Sequence, residues 1–298
     1  MRTRDVVRTV GDHLSPTATR HARAMALTWG RATRAARMSP SIVVIGAQRC
    51  GTTTMFRLLE AHPDLVRPTL SKGTGYFDDE HGRGPDWYAG HFPLRRPAPG
   101  RSETARATFE CSGYYLFHPL AARRIAAELP DAHVVVLVRD PVARAVSAHR
   151  HEVARGFEHL DLDDALAAES TRTAGEADRL EHEPGYRSFA HRHHAYLGRG
   201  GYAHQVRRFH DALGPDRVHV LDADDFFADP RRRFLELQRD LGLTAWAPPR
   251  VDAWNARPGP PLDDARHRRL AEHFEPHDAE LADLLGWTPS WRRVGAHS

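Results

Sequence analysis

An apolar run that leads into a glycine-flanked loop and then a helix is the feature that most constrains this chain. Residues 41–59 read SIVVIGAQRCGTTTMFRLL. The run SIVVIG (41–46) is typical of a buried strand, and the apolar spacing after Gly51 indicates a helix. When a strand, a loop and a helix follow one another in this way, the backbone N–H groups of the loop and the positive end of the helix dipole are directed at the same place. The sequence therefore predicts an anion-binding loop at the end of a strand.

Short apolar runs of the same kind alternate with helix-like stretches along the chain. The others are ARATFE (105–110), HVVVLV (133–138) and RVHVL (217–221). This alternation indicates a buried parallel sheet with crossover helices. We therefore expect an α/β chain with a P-loop-like, three-layer fold, in which helices flank a central parallel sheet.

Local signals mark where several helices begin and end. Asp140-Pro141 and Asp229-Pro230 each place a capping acid before a proline suited to the first helical turn. Further expected features are a helix end at Gly156, a short helix near 163–170, a break at GRGG (198–201) and a helix near 263–285.

Charge is unevenly distributed along the chain. Residues 1–40 carry eight Arg against two Asp, a net +6 within a total of +3, so the remainder is about −3. This balance argues against a nucleic-acid-coating surface and favours a small anionic ligand or a local contact. We expect a basic, Arg- and Ala-rich extension (1–38) and a single domain (39–298). The extension has the spacing of a membrane-surface amphipathic helix, although a solvated surface helix explains it as well.

Cysteine content and hydropathy indicate the cellular compartment in which the protein is expected. The two cysteines, Cys50 and Cys111, cannot form a disulfide framework. The apolar runs are far shorter than the roughly 20 residues that cross a bilayer, and no signal-peptide pattern is present. We therefore expect a cytoplasmic protein, peripheral to a membrane if the extension binds lipid.

The loop GAQRCGTT (46–53) has the G-x-x-x-x-G spacing of a phosphate-binding loop but lacks its lysine. Thr52 stands where an ATP-binding loop carries that lysine. Arg49 supplies positive charge instead, and Thr52, Thr53 and Thr54 supply hydroxyl donors. The loop is therefore suited to an anion, but not to the usual binding of ATP.

A second strand, turn and helix lies at 134–152, VVVLVRDPVARAVSAHRHE. Arg139 follows the strand directly, and Ser147 lies about two turns into the next helix. Ligands of open parallel sheets bind beyond the carboxyl ends of the strands. We therefore expect Arg139 and Ser147 to share a cleft with the first loop, which gives two anion-binding positions.

Together these segments resemble the sulfotransferases that use 3′-phosphoadenosine 5′-phosphosulfate (PAPS), in particular the carbohydrate and heparan-sulfate branch with its bacterial relatives. The main likeness lies in IGAQRCGTTTMFRLLEAHPDL (45–65) and LVRDPVARAVSAHRHEVARG (137–156). Weaker likeness, in the same order as in the family, lies in KGTGYFD (72–78), FECSGYYLFHP (109–119), RGGYAHQVRRF (199–209) and VHVLDADDFFADPRRRFLELQRDLGL (218–243).

The resemblance implies a set of donor-binding residues and no metal. The residues that would hold the 5′-phosphosulfate are Arg49, Cys50, Gly51, Thr52, Thr53 and Thr54. Arg139 and Ser147 would hold the 3′-phosphate. The adenine would lie near the 199–202 turn with Tyr202 and near NARPGPPL (255–262), where Arg257 and Gly259 would cover the nucleotide.

The catalytic residues are less clear from the sequence. Arg49 and Lys72, the one lysine of the chain, would stabilise charge on the leaving phosphate and the sulfuryl oxygens. Heparan-type relatives carry a glutamate base after this lysine and often a histidine two residues later, but here those positions are Gly73 and Gly75. Glu110 is the first substitute, because a carboxylate at a strand's carboxyl end should face the cleft; a structural ion pair is the alternative. The further candidates for the base are His118, His149 and Asp78.

The function expected is in-line transfer of a sulfuryl group from PAPS to a hydroxyl, less readily an amine, of a carbohydrate, glycolipid or small molecule. Without the usual base, a non-catalytic nucleotide-binding protein remains open. An ATP-dependent small-molecule kinase is a third candidate, which the missing lysine disfavours. The HRHH run at 191–194 is interpreted as solvated rather than metal-binding.

Overall fold

The computed structural model describes residues 25–95, 107–248 and 262–293. Five parallel strands form one sheet in the order β2-β3-β1-β4-β5. The strands are β1 (Ile42–Gly46), β2 (Leu65–Val66), β3 (Ala107–Cys111), β4 (His133–Val138) and β5 (Val218–Asp222).

Helices connect the strands and cover the sheet. In chain order they are α1 (Thr52–Ala61), α2 (Pro85–Ala89), α3 (Ala121–Glu128), α4 (Pro141–Ala154), α5 (Leu162–Thr173), α6 (Glu176–His182), α7 (Phe189–His193), α8 (Tyr202–Leu213), α9 (Ala223–Ala228), α10 (Pro230–Asp240) and α11 (Asp264–Leu285). All five residues of β1 are buried, as expected for a strand covered on both faces. The crossovers from β1 to β3 and from β3 to β4 run in opposite directions across the sheet, so right-handed connections place α1 and α3 on opposite faces. The predicted α/β fold with a helix-flanked parallel sheet is confirmed.

The predicted helix starts are also confirmed, because the capping signal is local. The Asp140 carboxylate accepts from the N–H of Val142 at 2.9 Å at the start of α4, and Asp229 accepts from Arg232 at 3.2 Å at the start of α10. Helix α4 ends just before Gly156, whose φ of +74° suits a glycine. The predicted C-terminal helix is α11.

Other features differ from the prediction or lie beyond the described residues. Strand β2 was not expected, because two residues carry no periodicity. Helix α6 was also missed, because it lies in a stretch rich in charged residues and has too few apolar residues to show a helical periodicity. Residues 1–24 lie outside the described residues, so the amphipathic extension stays a prediction, and so does the domain boundary at residue 38. Within the described ranges, no helix has both the length and the apolar character to span a bilayer.

Candidate active site

The carboxyl ends of β1 and β4 lie side by side, since these strands pair from Ile42 opposite His133 to Gly46 opposite Val136. Strand β1 leads into the loop at 47–51 and then α1. Strand β4 leads through Arg139 into α4. Because β3 and β4 flank β1 on opposite sides, the crevice of the fold opens at this edge of the sheet.

The loop after β1 reaches the helix after β4 through Arg49. The Nε atom of Arg49 donates to the hydroxyl of Ser147 at 3.1 Å. Arg49 has a φ of +74°, in the left-handed region, where a non-glycine residue costs on the order of 1–3 kcal/mol. Gly51, the N-cap of α1, has a φ of +93°. The loop thus keeps an unfavourable backbone conformation that carries the Arg49 side chain to α4.

Lys72 lies over the first turn of α1. Its Nζ atom donates to the hydroxyls of Thr52 at 3.3 Å and Thr53 at 3.1 Å. Thr52 and Thr53 are half-buried at the rim of the loop, whereas Thr54 is buried. The structure therefore brings Lys72, Thr52 and Thr53 together, and it places the Thr54 side chain in the interior rather than with the expected anion ligands.

Arg139 is the cation at the end of β4. Its Nε atom is buried and has no hydrogen-bond partner in the described part of the chain. The Tyr202 hydroxyl donates to the Arg139 carbonyl at 3.0 Å. Tyr202 is 1% exposed, so it supports the Arg139 backbone from inside and does not face an adenine as expected.

The side chain of Cys50 is also buried beneath the loop rather than exposed at its surface. Its N–H donates to the Ala47 carbonyl at 3.2 Å, and its Sγ atom lies 3.7 Å from the Tyr202 hydroxyl. Burial raises the pKa of the thiol to about 11. The N–H and Sγ groups of Cys50 are thus both engaged within the protein, and its expected role as a donor-binding residue stays a prediction.

Glu110 does not face the cleft, contrary to the expectation for a strand's carboxyl end. Its carboxylate is fully buried and accepts five hydrogen bonds, at 2.6–3.1 Å. The donors are the N–H and hydroxyl of Thr74 and the hydroxyls of Tyr88, Ser112 and Tyr115. None of these five donors is an arginine, so four hydroxyls and one backbone N–H, rather than an ion pair, hold Glu110. This carboxylate fixes the segment after Lys72 onto β3.

The two candidate histidines are also structural. The Nδ1 atom of His118 accepts from the N–H of Leu120 at 3.2 Å, and burial lowers its pKa to about 2. His149 is buried with its Nε2 atom 3.0 Å from the Leu160 carbonyl. Neither side chain is among the residues that line the cleft described below, because His118 is buried in the turn before α3 and His149 is buried on α4.

A cleft of about 410 Å³ opens beside the loop, within the size range of small-molecule sites, roughly 300–1,000 Å³. It is lined by Gly73, Thr74, Gly75, Asp78, Asp79, Glu80, Ser112, Gly113, Tyr114 and Arg192. Gly113 joins the cleft to the loop, because a Cβ there would lie 3.7 Å from Gln48 Cα and 3.9 Å from Thr52 Oγ1. Asp78 is 4% exposed, and burial raises its pKa to about 7.

Arg192 lines the cleft, although no motif or spacing pointed to it. Its guanidinium contacts Asp79, lies 3.6 Å from Asp78 and sits 4.9 Å from the centre of the Tyr114 ring. In the HRHH run around it, His191 is buried rather than solvated and stacks on Phe117 with ring centres 4.2 Å apart, whereas His193 and His194 are half-buried. A five-residue helix such as α7 has too few residues for a periodicity that separates buried from exposed positions.

Gln48 is a second missed residue. Its side-chain oxygen accepts from the buried guanidinium of Arg199, and its Nε2 atom donates to Glu152 at 3.5 Å. The phosphate-loop spacing marks this position only as variable.

Two residues expected to cover the nucleotide, Arg257 and Gly259, lie outside the described residues. Across 25–95, 107–248 and 262–293, no three His, Cys, Asp or Glu side chains are arranged to hold a metal ion.

Comparisons with known proteins identify the family. Residues 39–253 match the sulfotransferase domain family. Mouse bifunctional heparan sulfate N-deacetylase/N-sulfotransferase 1 is 28% identical over 286 residues, covering 85% of this chain and 31% of its own length. The chain thus spans about a third of that bifunctional relative. Human heparan sulfate glucosamine 3-O-sulfotransferase 6 is 27% identical, covering 86% of this chain and 74% of its own.

A solved structure agrees with these relatives. The sulfotransferase from Alicyclobacillus acidocaldarius superposes with a TM-score of 0.66 at 29% identity, covering 86% of this chain and 99% of its own. The chain therefore belongs to the sulfotransferase domain family.

Proposed function

We propose that this protein transfers a sulfuryl group from PAPS to an acceptor hydroxyl by in-line displacement. The observation that carries the proposal is the 3.1 Å hydrogen bond from Arg49 to Ser147, which unites the loop after β1 and the helix after β4 in one site. Two cationic positions at the ends of neighbouring strands are suited to a nucleotide with phosphates at both its 3′ and 5′ positions.

The residues present fit such a donor. Arg49, Lys72, Thr52 and Thr53 would hold its 5′-phosphosulfate, and Arg139 with Ser147 its 3′-phosphate. The buried Nε atom of Arg139, which lacks a partner in the described ranges, supports this assignment, since buried donors are normally paired. When bound, the donor supplies the sulfuryl group.

The chain's own residues supply positioning, charge and a base. Arg49 and Lys72 place positive charge beside the first turn of α1, where the dipole adds to it, and this stabilises negative charge on a leaving phosphate. Asp78 is the proposed base, because its carboxylate lines the cleft and its pKa of about 7 suits proton transfer near neutral pH.

Gly73 cannot accept the glutamate of the heparan-type relatives without rearrangement. A Cβ at this position would lie 2.4 Å from the Cys111 carbonyl and 2.5 Å from the Ser112 hydroxyl. These contacts are shorter than van der Waals distance, so the base must come from another part of the cleft wall. Asp78 lies in that wall, five residues further along the chain.

The proposal is tested by measuring thermal stabilisation with 3′,5′-bisphosphoadenosine, AMP and ATP. We expect the bisphosphate to stabilise the protein by about 3–4 kcal/mol at 100–1,000 times its Kd, and the other two much less. Arg139→Ala should remove this preference and leave the unliganded melting temperature nearly unchanged. Arg123→Ala, at an exposed position of α3, is the matched control and should keep it.

Equal stabilisation by AMP and the bisphosphate would contradict the two-phosphate assignment. Magnesium-dependent ATP turnover would favour a kinase instead. Bisphosphate binding without sulfuryl transfer to any acceptor would favour a non-catalytic nucleotide-binding protein.

A further inference from the structure

We propose that Arg192 is a positioning residue, whose guanidinium holds the Asp78 carboxylate in place and in its charged form. This inference rests on the proposed function, in which Asp78 takes the proton of the acceptor hydroxyl. It assigns a role in that step to helix α7, on which Arg192 lies.

The Arg192 guanidinium meets Asp78 in the cleft that both residues line. It contacts the carboxylate of Asp79 and lies 3.6 Å from the Oδ1 atom of Asp78. It also lies 4.9 Å from the centre of the Tyr114 ring, which is a cation–π contact. Two carboxylates and one aromatic ring thus fix the guanidinium beside the proposed base.

The backbone of Arg192 is held as well. The buried guanidinium of Arg199 donates to the carbonyls of Arg192 and, at 3.1 Å, of His191. The same guanidinium donates to the side-chain oxygen of Gln48, in the loop after β1. Arg192 therefore lies on a helix end that is tied to the anion-binding loop.

Acidic groups and tyrosines surround Asp78 on its other sides. The titratable groups near it, besides Arg192, are Asp79 and Glu80 on its own segment, Glu110 on β3, Tyr114 and Tyr115 after β3, and Arg124 on α3. The charges of Asp79 and Glu110 oppose ionisation of Asp78. Glu80 is paired with two arginines. Burial raises the pKa of both tyrosines, which leaves them uncharged. Ionisation of Asp78 therefore depends on a nearby cation.

Arg192 is better placed for this than Arg124. The Arg124 guanidinium donates to the backbone carbonyls of Phe77 at 3.1 Å and Asp78 at 2.8 Å. Burial raises the pKa of Asp78, and the Arg192 charge lowers it more than any other group does, which leaves it at about 7. An opposite charge within about 4–6 Å lowers a carboxyl pKa by about 1–3 pH units. Loss of Arg192 should therefore leave Asp78 protonated at pH 7 and unable to take a proton.

The experiment measures the ionisation of Asp78 by carbon-13 NMR of protein labelled at the aspartate carboxyl carbons. Asp78→Asn identifies the signal. We expect a titration midpoint of about 7 in the wild type and one at least about one pH unit higher in Arg192→Gln. Arg192→Lys keeps a positive charge without the planar guanidinium, and its midpoint should lie between the two.

Arg187→Gln is the matched control. Arg187 lies 3.2 Å from Glu80, so it also ties the segment that leads into α7 to the turn at 78–80. This control should keep the wild-type midpoint of Asp78. An unchanged midpoint in Arg192→Gln, or an equal rise in Arg187→Gln, would overturn the inference, because the charge of Arg192 would then not control Asp78.

Kinetics with a hydroxyl acceptor gives a second readout. In Arg192→Gln, kcat at pH 7 should fall by about fivefold or more and recover as the pH rises past the higher midpoint. Stabilisation by the bisphosphate should match that of the wild type. A loss of kcat that is equal at every pH would assign Arg192 a purely structural role and overturn the inference.

The outcomes also separate this inference from the proposed function. If the bisphosphate does not bind, or no hydroxyl is sulfated by the wild type, the proposed function fails. The NMR midpoints need neither donor nor acceptor, so they still decide whether Arg192 controls the charge of Asp78.

Discussion

At the scale of single residues, the two buried carboxylates near the cleft differ in their partners. Glu110 accepts five hydrogen bonds and lies in the core, so its charge is compensated where it stands. Asp78 has few partners, lines the cleft and has a pKa raised by burial to about 7. Burial with full hydrogen bonding stabilises a fold, whereas burial with an unsatisfied oxygen prepares a group to take up a proton.

Substitution of each carboxylate by its amide tests this division. Asp78→Asn should lower kcat by roughly 10²–10⁴-fold and leave the melting temperature nearly unchanged. In the wild type, kcat should rise with pH around a midpoint of about 7, because only the ionised carboxylate accepts a proton. Glu110→Gln should instead lower the free energy of unfolding by about 2–3 kcal/mol and keep that midpoint. If Glu110→Gln abolished the pH midpoint, Glu110 rather than Asp78 would be the base.

The sequence predicted the residues whose position follows from chain order alone. Arg139 directly follows β4 and Arg49 lies three residues after β1, so the parallel sheet brings both to one edge. Glu110 lies within a strand, and whether it faces cleft or core depends on contacts with residues such as Tyr88, 22 positions away. The burial of Cys50 could not be predicted for the same reason, since it comes from packing against distant residues such as Tyr202.

At the scale of elements, α4 links both anion-binding positions, because it begins just after Arg139 and carries Ser147. Its N-cap is the Asp140 carboxylate. Asp140→Ala should cost about 1 kcal/mol of stability and weaken bisphosphate binding several-fold, since fraying of the first turn displaces Arg139. Asp263→Ala removes the same kind of cap from α11, where Asp263 accepts from Arg266 at 2.9 Å. Calorimetry should show a similar stability loss there with unchanged binding, and equal binding by both variants would refute the coupling.

Caps could be predicted because the acid and the proline are neighbours in the sequence. The cleft could not, since the segment after Lys72, the turn after β3 and helix α7 each contribute to it. Hydrogen bonds that Glu110 accepts and ion pairs of Arg192 hold these parts together. Neither interaction leaves a periodic or spaced pattern in the chain.

At the scale of the whole molecule, the parallel sheet could be predicted from the apolar runs. The order of its strands could not, because any order of buried parallel strands has the same hydropathy.

The folded chain also keeps many histidines uncharged. Burial lowers the pKa of His118 to about 2, His191 to about 3 and His204 to about 4. Burial likewise lowers the pKa of His133, His210 and His219.

These histidines set the acid stability of the protein. As pH falls below the ordinary histidine pKa of about 6.5, the unfolded chain binds protons that the folded chain refuses, so the free energy of unfolding falls. Asp78 and Asp278, with pKa values raised to about 7 and about 6, act in the opposite direction. They are outnumbered, and we expect a net loss of about 2 kcal/mol between pH 7 and pH 5.

Urea unfolding at pH 7, 6 and 5 measures this loss. His118→Asn is the matched variant, because its side-chain oxygen can still accept from the N–H of Leu120 while one titrating group is removed. The variant should unfold more easily at every pH because it loses ring packing, but its stability should fall with pH by about one proton less than that of the wild type. A stability that rose from pH 7 to pH 5, or equal slopes for the two proteins, would mean that the buried histidines are not kept neutral by the fold.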